Sequence, residues 1–133
     1  MIGPLLKGLK ITLREFFNPP ITIQYPEERR ELYPRWRGLH HLEWDEKRNM
    51  EKCVACRLCS TVCPSQCITV MPGETENHEM YPVVYTINEL ECIFCGFCVE
   101  ACPVNAITQR TTYEIAGESR ESMIYTKEML LKT

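Results

Sequence analysis

Nine cysteines stand in a chain of 133 residues, at positions 53, 56, 59, 63, 67, 92, 95, 98 and 102. Eight of them fall into two runs of one pattern, Cys53-x2-Cys56-x2-Cys59-x3-Cys63-Pro64 and Cys92-x2-Cys95-x2-Cys98-x3-Cys102-Pro103. Thiolates so spaced suit a four-iron cluster. A cubane presents four iron corners, each needing one sulfur ligand, and cysteines at i, i+3 and i+6 on a tight loop can cap three of them. The fourth ligand has to arrive from a more distant segment. The proline closing each run has no amide proton and restricts the residue before it, which ends the loop and aims that last thiolate.

Bacterial ferredoxins use this run, and in their two-cluster forms the fourth cysteine ligates the other cluster. The same exchange here assigns one 4Fe–4S cluster to Cys53, Cys56, Cys59 and Cys102, and a second to Cys92, Cys95, Cys98 and Cys63. Two other uses of cysteine fit less well. Structural zinc takes cysteine pairs, two per metal, and has no need of triplets. Disulfides belong to oxidising compartments, and the opening residues read as no secretory signal. Cys67 aligns with Ala106 of the other run and reads as a small buried hydrophobe with no ligand role.

The elements that must position these thiols follow from an internal repeat. Segment 53–70 aligns with 92–109, sharing the four cysteines, the proline and the pairs Ile68-Thr69 and Ile107-Thr108. This predicts an α+β fold: a bacterial-type dicluster ferredoxin-like core with a pseudo-twofold repeat. Each half is a short strand, a cluster loop, one or two helical turns and a return strand. The return strands are expected at 68–71 and 106–110, and the incoming strand of the second half at 83–87, rich in β-branched and aromatic residues. Residues 71–82 are polar and bounded by prolines, so they predict an exposed loop or a hairpin extension. The apolar residues between ligands (Val54, Ala55, Leu58, Val62, Ile93, Phe94, Phe97 and Val99) are expected to exclude water from the clusters. The halves differ at Arg57 and Gly96. An arginine beside an anionic cluster favours its reduced state, while glycine lets backbone approach a sulfur closely, so the two clusters are expected to be electronically unequal.

With 44% hydrophobic and 25% charged residues the chain is globular rather than disordered. A net charge of −3 argues against nucleic-acid binding. No stretch approaches the ~20 apolar residues of a membrane span. Three parts are expected: an N-terminal helix and docking strap over 1–52, the two-cluster domain over 53–109, and a C-terminal docking tail over 110–133. So small a core is marginal alone, and the clusters act as its staples. In the first part, Ile2, Leu6, Leu9, Leu13, Phe16 and Phe17 recur at helical spacing, with Lys7, Lys10 and Arg14 on another face. This predicts an amphipathic helix ended by Asn18-Pro19-Pro20, suited either to a membrane interface with anionic lipid or to a protein partner. Residues 21–42 read as an extended strap, in which His40 and His41 are structural or solvent-facing. The tail predicts a helix over about 120–131, capped by Ser119 or Ser122.

Taken together, these segments resemble the family of two-cluster iron–sulfur subunits, subunit I, of respiratory complex I, the NADH–quinone oxidoreductase. The resemblance rests on CVACRLCSTVCPSQCITV (53–70), CIFCGFCVEACPVNAI (92–107), PPITIQYP (19–26), PRWRG (34–38) and ESRESMIYTKEMLL (118–131). Cys67 and Trp36 depart from the family pattern, which has a small non-ligand residue and a phenylalanine there. The resemblance implies an electron-transfer subunit in the peripheral arm of a proton-translocating complex. Two 4Fe–4S clusters would pass single electrons towards the terminal cluster of a neighbouring subunit, and quinone would be reduced by the complex rather than bound by this chain alone. It implies no bond chemistry by the chain itself. It also implies an N-terminal helix on the membrane surface, at the cytoplasmic side of a bacterial inner membrane, with peripheral-arm and quinone-site subunits as partners. Two alternatives remain open: the dicluster subunit of a membrane-bound hydrogenase or formate hydrogenlyase, and a free, diffusible ferredoxin.

Overall fold

The computed structural model describes residues 2–132. The chain divides into two units, residues 1–31 and residues 32–133.

The first unit is built on helix α1, Ile2–Phe16. None of its residues is buried, and its apolar side stands open: Leu5 is 75% exposed, Leu9 65% and Phe16 80%. At 15 residues the helix is about 22 Å long, short of a bilayer's hydrocarbon core. No helix among the described residues is long and apolar enough to cross a membrane. After Phe16 the backbone leaves the helix through bonds from the Phe17 and Asn18 amides to the carbonyls of Arg14 and Glu15. The prolines at 19 and 20 cannot continue it.

The second unit holds the remaining elements. In chain order these are β1 His40–Leu42, β2 Trp44–Asp45, β3 Met50–Glu51, α2 Leu58–Val62, β4 Ile68–Glu74, β5 Met80–Asn88, α3 Phe97–Glu100, β6 Ile107–Gln109, a 3₁₀ turn Glu121–Met123, β7 Ile124–Thr126 and α4 Lys127–Lys132. Strands β4, β5 and β7 form one antiparallel sheet in that order, β1 pairs with β6, and β2 pairs with β3. Registers Ile68↔Ile87, Val70↔Tyr85 and Leu42↔Ile107 put apolar side chains from both larger sheets into one core. Leu130 of α4 closes that core and is fully buried.

The return strands lie where the repeat predicts them, although β4 runs on to Glu74. Residues 71–82 are a hairpin extension: β4 and β5 continue to the pair Glu74↔Met80, with an irregularity at Met71/Pro72, where proline cannot donate to the ladder. The strand that opens the first half is β1, inside the segment read from sequence as a strap. The compact unit accordingly begins at Leu32 rather than at the first cysteine. Ahead of β1, the amides of Gly38 and Leu39 bond to the carbonyls of Arg110 and Thr112, and the Arg110 amide returns to Leu39, which prolongs the β1–β6 pairing. Gly38 is required here, because a Cβ would collide with the carbonyl oxygens of Thr112 and Arg110. The tail helix is shorter than expected. The chain first adds β7 to the edge of β5, and α4 follows, with Lys127 Nζ 3.0 Å from both Glu51 Oε1 and the Pro82 carbonyl. Ser119 caps the 3₁₀ turn instead, its hydroxyl accepting from the Ser122 amide at 3.3 Å.

Leu130 tests how much of this unit rests on the tail. Leu130→Ala removes a fully buried side chain and is expected to cost about 2–5 kcal/mol. The check is the denaturation midpoint of the cluster-loaded chain under anaerobic conditions; an unchanged midpoint would remove the tail from the core.

Candidate metal centres

Each cysteine run begins as an irregular loop and ends in a short helix. The two loops share a backbone signature: Ala55 and Phe94 both have φ 51°, Arg57 and Gly96 have φ 61° and 82°, and Gln66 and Asn105 have φ 52° and 49°. Left-handed conformations at non-glycine residues cost on the order of 1–3 kcal/mol each and persist where surrounding structure imposes them. Here they turn the chain sharply between successive cysteines, so that residues three apart face one centre. Gly96 lines the cavity of Cys92, Cys95 and Cys98, and its surroundings leave little room for a side chain. A Cβ there would first meet Arg37 Nε at 3.1 Å and Gln109 Oε1 at 3.3 Å, whereas Arg57 is exposed at the rim of its loop.

Two cavities result. Cys53, Cys56, Cys59 and Cys102 line one, closed by Leu42, Val70, Tyr85 and Ile107. Cys63, Cys92, Cys95 and Cys98 line the other, together with Cys67, His40 and Ile68. Each cavity thus draws three thiols from one run and one from the other. All nine cysteines are free thiols. Burial pushes Cys53 and Cys92 up to about 11 and Cys98 to about 12, so that a bare thiolate is disfavoured at these positions. Cys63 is the exception: burial raises it, but hydrogen bonds from Ser65 and Cys67 outweigh that and lower it. Two sets of four converging thiols, several of them disfavoured as bare thiolates by burial, fit a cationic iron centre that would bind them as thiolates.

Groups that are not ligands by the sequence pattern also reach these sulfurs. The Tyr85 hydroxyl lies 3.4 Å from Cys59 Sγ, and burial drives its phenol well above the usual tyrosine range. Cys67 is buried as expected, yet its sulfur stands 3.5 Å from Cys63 Sγ, and Ser65 Oγ lies 3.6 Å from the same atom. Backbone amides contribute as well: Ala106 N donates to Cys102 Sγ at 3.1 Å and Phe94 N to Cys92 Sγ at 3.3 Å. His40 is fully buried; its Nδ1 is 3.0 Å from Glu89 Oε1, its Nε2 is 3.4 Å from Gln109, and its ring stacks on Phe94 at 5.7 Å. His41 is half-buried, and burial followed by the Arg110 charge lowers its pKa. His40, read from sequence as structural or solvent-facing, is buried, whereas Tyr85 and Glu89 were not singled out. Only Tyr85 carries a signal: it shares a strand face with Ile87, two residues on.

The apolar residues between ligands behave unevenly. Ala55 is buried, while Val54, Phe94 and Val99 are half-covered. Leu58, Val62, Ile93 and Phe97 are exposed by 44%, 38%, 64% and 51%, so they cannot all serve as water shields. The i to i+3 turn that gathers the thiols inward sends these neighbours outward.

Residues 52–106 match the family described as a 4Fe-4S dicluster domain. The chain is 50% identical, over 99% of its length and 99% of the relative's, to NADH-quinone oxidoreductase subunit I 2 of Geobacter metallireducens. It is 52% identical, over 99% and 98%, to NADH-quinone oxidoreductase subunit I 1 of Geobacter sulfurreducens. Among solved structures it resembles a chain of the membrane-bound sulfane sulfur reductase, an archaeal respiratory membrane complex. That match has a TM-score of 0.57 and 34% identity, and covers 85% of this chain and 56% of that one. Identity of this extent, arms included, makes the chain a member of the NADH-quinone oxidoreductase subunit I family, electron-transfer proteins with two 4Fe–4S clusters.

Proposed function

We propose that the chain is a built-in electron relay of a membrane-associated NADH–quinone oxidoreductase, with one 4Fe–4S cluster held by Cys53, Cys56, Cys59 and Cys102 and the other by Cys92, Cys95, Cys98 and Cys63. The observation that carries the ligand sets is the pair of thiol-lined cavities, each drawing its fourth cysteine from the opposite run. When bound, such clusters supply one-electron carriers whose potentials respond to charge, burial and hydrogen bonds at their sulfurs. The chain's own part is to hold the thiols, keep water from them and bring the two sites side by side through the pseudo-twofold repeat. In this reading the chain's part ends at electron transfer, and reduction of quinone falls to other subunits.

The relatives' names support the complex I setting. Identity of 50–52% over the whole chain outweighs the 34% shared with a sulfane sulfur reductase chain. Partners would be other peripheral-arm and quinone-site subunits, and the exposed Leu58, Val62, Ile93 and Phe97 beside the cluster loops give such partners apolar surface to cover. Helix α1 would lie on the membrane surface at the cytoplasmic side, with its exposed apolar face in the lipid interface and Lys7 and Lys10 at the headgroups. Arg14 contributes less, since Glu15 holds it at 2.9 Å. In this reading 1–52 and 110–133 dock the two-cluster domain of 53–109.

Two experiments test the proposal. Anaerobically loaded chain is expected to hold about eight iron and eight sulfide, falling to about four of each in Cys63→Ser and in Cys102→Ser. Cys63→Ser should lose the spectrum of the cluster held by Cys92, Cys95 and Cys98, and Cys102→Ser that of the other; the reverse assignment would break the exchanged pairing. For the membrane, Lys7→Ala with Lys10→Ala removes about 2 kcal/mol of attraction, roughly thirtyfold, for vesicles containing anionic lipid. Co-sedimentation that is equal for the variant and the parent chain would move α1 from lipid to a protein partner.

A further inference from the structure

The repeat gives an internal standard for each sulfur, because every ligand position in one run has a counterpart in the other. Cys59 and Cys98 are such a pair, and both are buried. Each receives a backbone amide at its own helix start, Ser60 for Cys59 and Val99 for Cys98. Cys59 has in addition the Tyr85 hydroxyl at 3.4 Å. Tyr85 lies on β5, the incoming strand of the second half, and is only 1% exposed; by register its counterpart in the first half is His40, whose ring nitrogens face Glu89 and Gln109 rather than Cys98. The sulfur is its only hydrogen-bond partner among those described. Once Cys59 binds iron as a thiolate it has no proton, so the phenol is the donor of the pair.

We infer that Tyr85 is a positioning residue that sets the reduction potential of the cluster held by Cys59, through an O–H···S bond that the other cluster lacks at the equivalent ligand. The inference rests on the ligand assignment proposed above. Reduction adds one electron to that cluster; no bond breaks and the proton stays on Tyr85. A donor aimed at a ligand sulfur stabilises the extra negative charge, and in so dry a cavity that stabilisation is weakly screened. The second cavity has side-chain donors too, but at other ligands than Cys98: Ser65 and Cys67 approach Cys63, and Cys67 also reaches Cys92, whereas the residues aligned with Ser65 and Cys67 are Val104 and Ala106. The two sites therefore share a backbone and differ in where a side-chain proton meets sulfur.

The test is redox titration, followed by EPR, of the full chain carrying both clusters. Tyr85→Phe keeps the ring and deletes the donor. It is expected to lower the reduction equilibrium constant of the Cys59 cluster about tenfold, a midpoint about 59 mV more negative, while the other cluster stays within error. 3-Fluorotyrosine at position 85 keeps the shape and makes a stronger donor, so its midpoint should move the other way; a residue that only fills space would give no such reversal. An unshifted midpoint in a fully loaded Tyr85→Phe chain overturns the inference. If Tyr85→Phe fails to assemble, the fluorinated chain decides alone, with an unmoved midpoint counting against it. Loss of iron and sulfide from parent chain, or a Cys59→Ser variant that keeps both clusters, overturns the ligand assignment instead.

Discussion

The structure depends on sulfur placed where water is scarce. Burial holds the thiols of Cys53, Cys92 and Cys98 far above their ordinary range, so a lone negative charge is disfavoured there unless a cation offsets it. The same cysteines are part of the hydrophobic core, packed with Leu42, Ile68, Tyr85 and Ile87. Core and binding site are therefore one object, and the left-handed turns at Ala55, Arg57, Phe94 and Gly96 are the backbone's cost for wrapping the chain round each centre.

What surrounds that object explains why the cysteine runs occupy less than half of the chain. Strand β1, from ahead of the runs, pairs with β6; from behind them, β7 pairs with β5 and α4 closes the core at Leu130. Lys127 ties these additions together by bonding Glu51 and the Pro82 carbonyl while lying over the Tyr81 ring. The arms thus divide into a portion that completes the fold and, in α1, a portion whose apolar face stays open.

The cysteine spacing made the two centres legible, because a period of three followed by proline has few other uses. The repeat likewise located β4 and β6. Other features depend on contacts that no local pattern announces. Strand β1 is three residues long and lies among prolines and charges, so it carries too little alternation to be read. His40 meets Glu89 across 49 positions, and neither residue marks the other. Leu58, Val62, Ile93 and Phe97 were expected to shield the clusters, since apolar residues between ligands invite that reading; yet the turn that brings thiols inward forces their neighbours out. Tyr85 falls within the strand expected over 83–87, but nothing local announces where its hydroxyl goes.

The crossing of the runs bears on how metal loading depends on concentration. A chain with only one run could surround a four-thiol cavity only by meeting a second copy of itself, and its metal loading would then rise and fall with concentration. With both runs in one chain, linked through the β4–β5 hairpin, that meeting is intramolecular, at a high effective concentration. The two halves then need not stay alike: Cys67 lines one cavity where Ala106 lines the other.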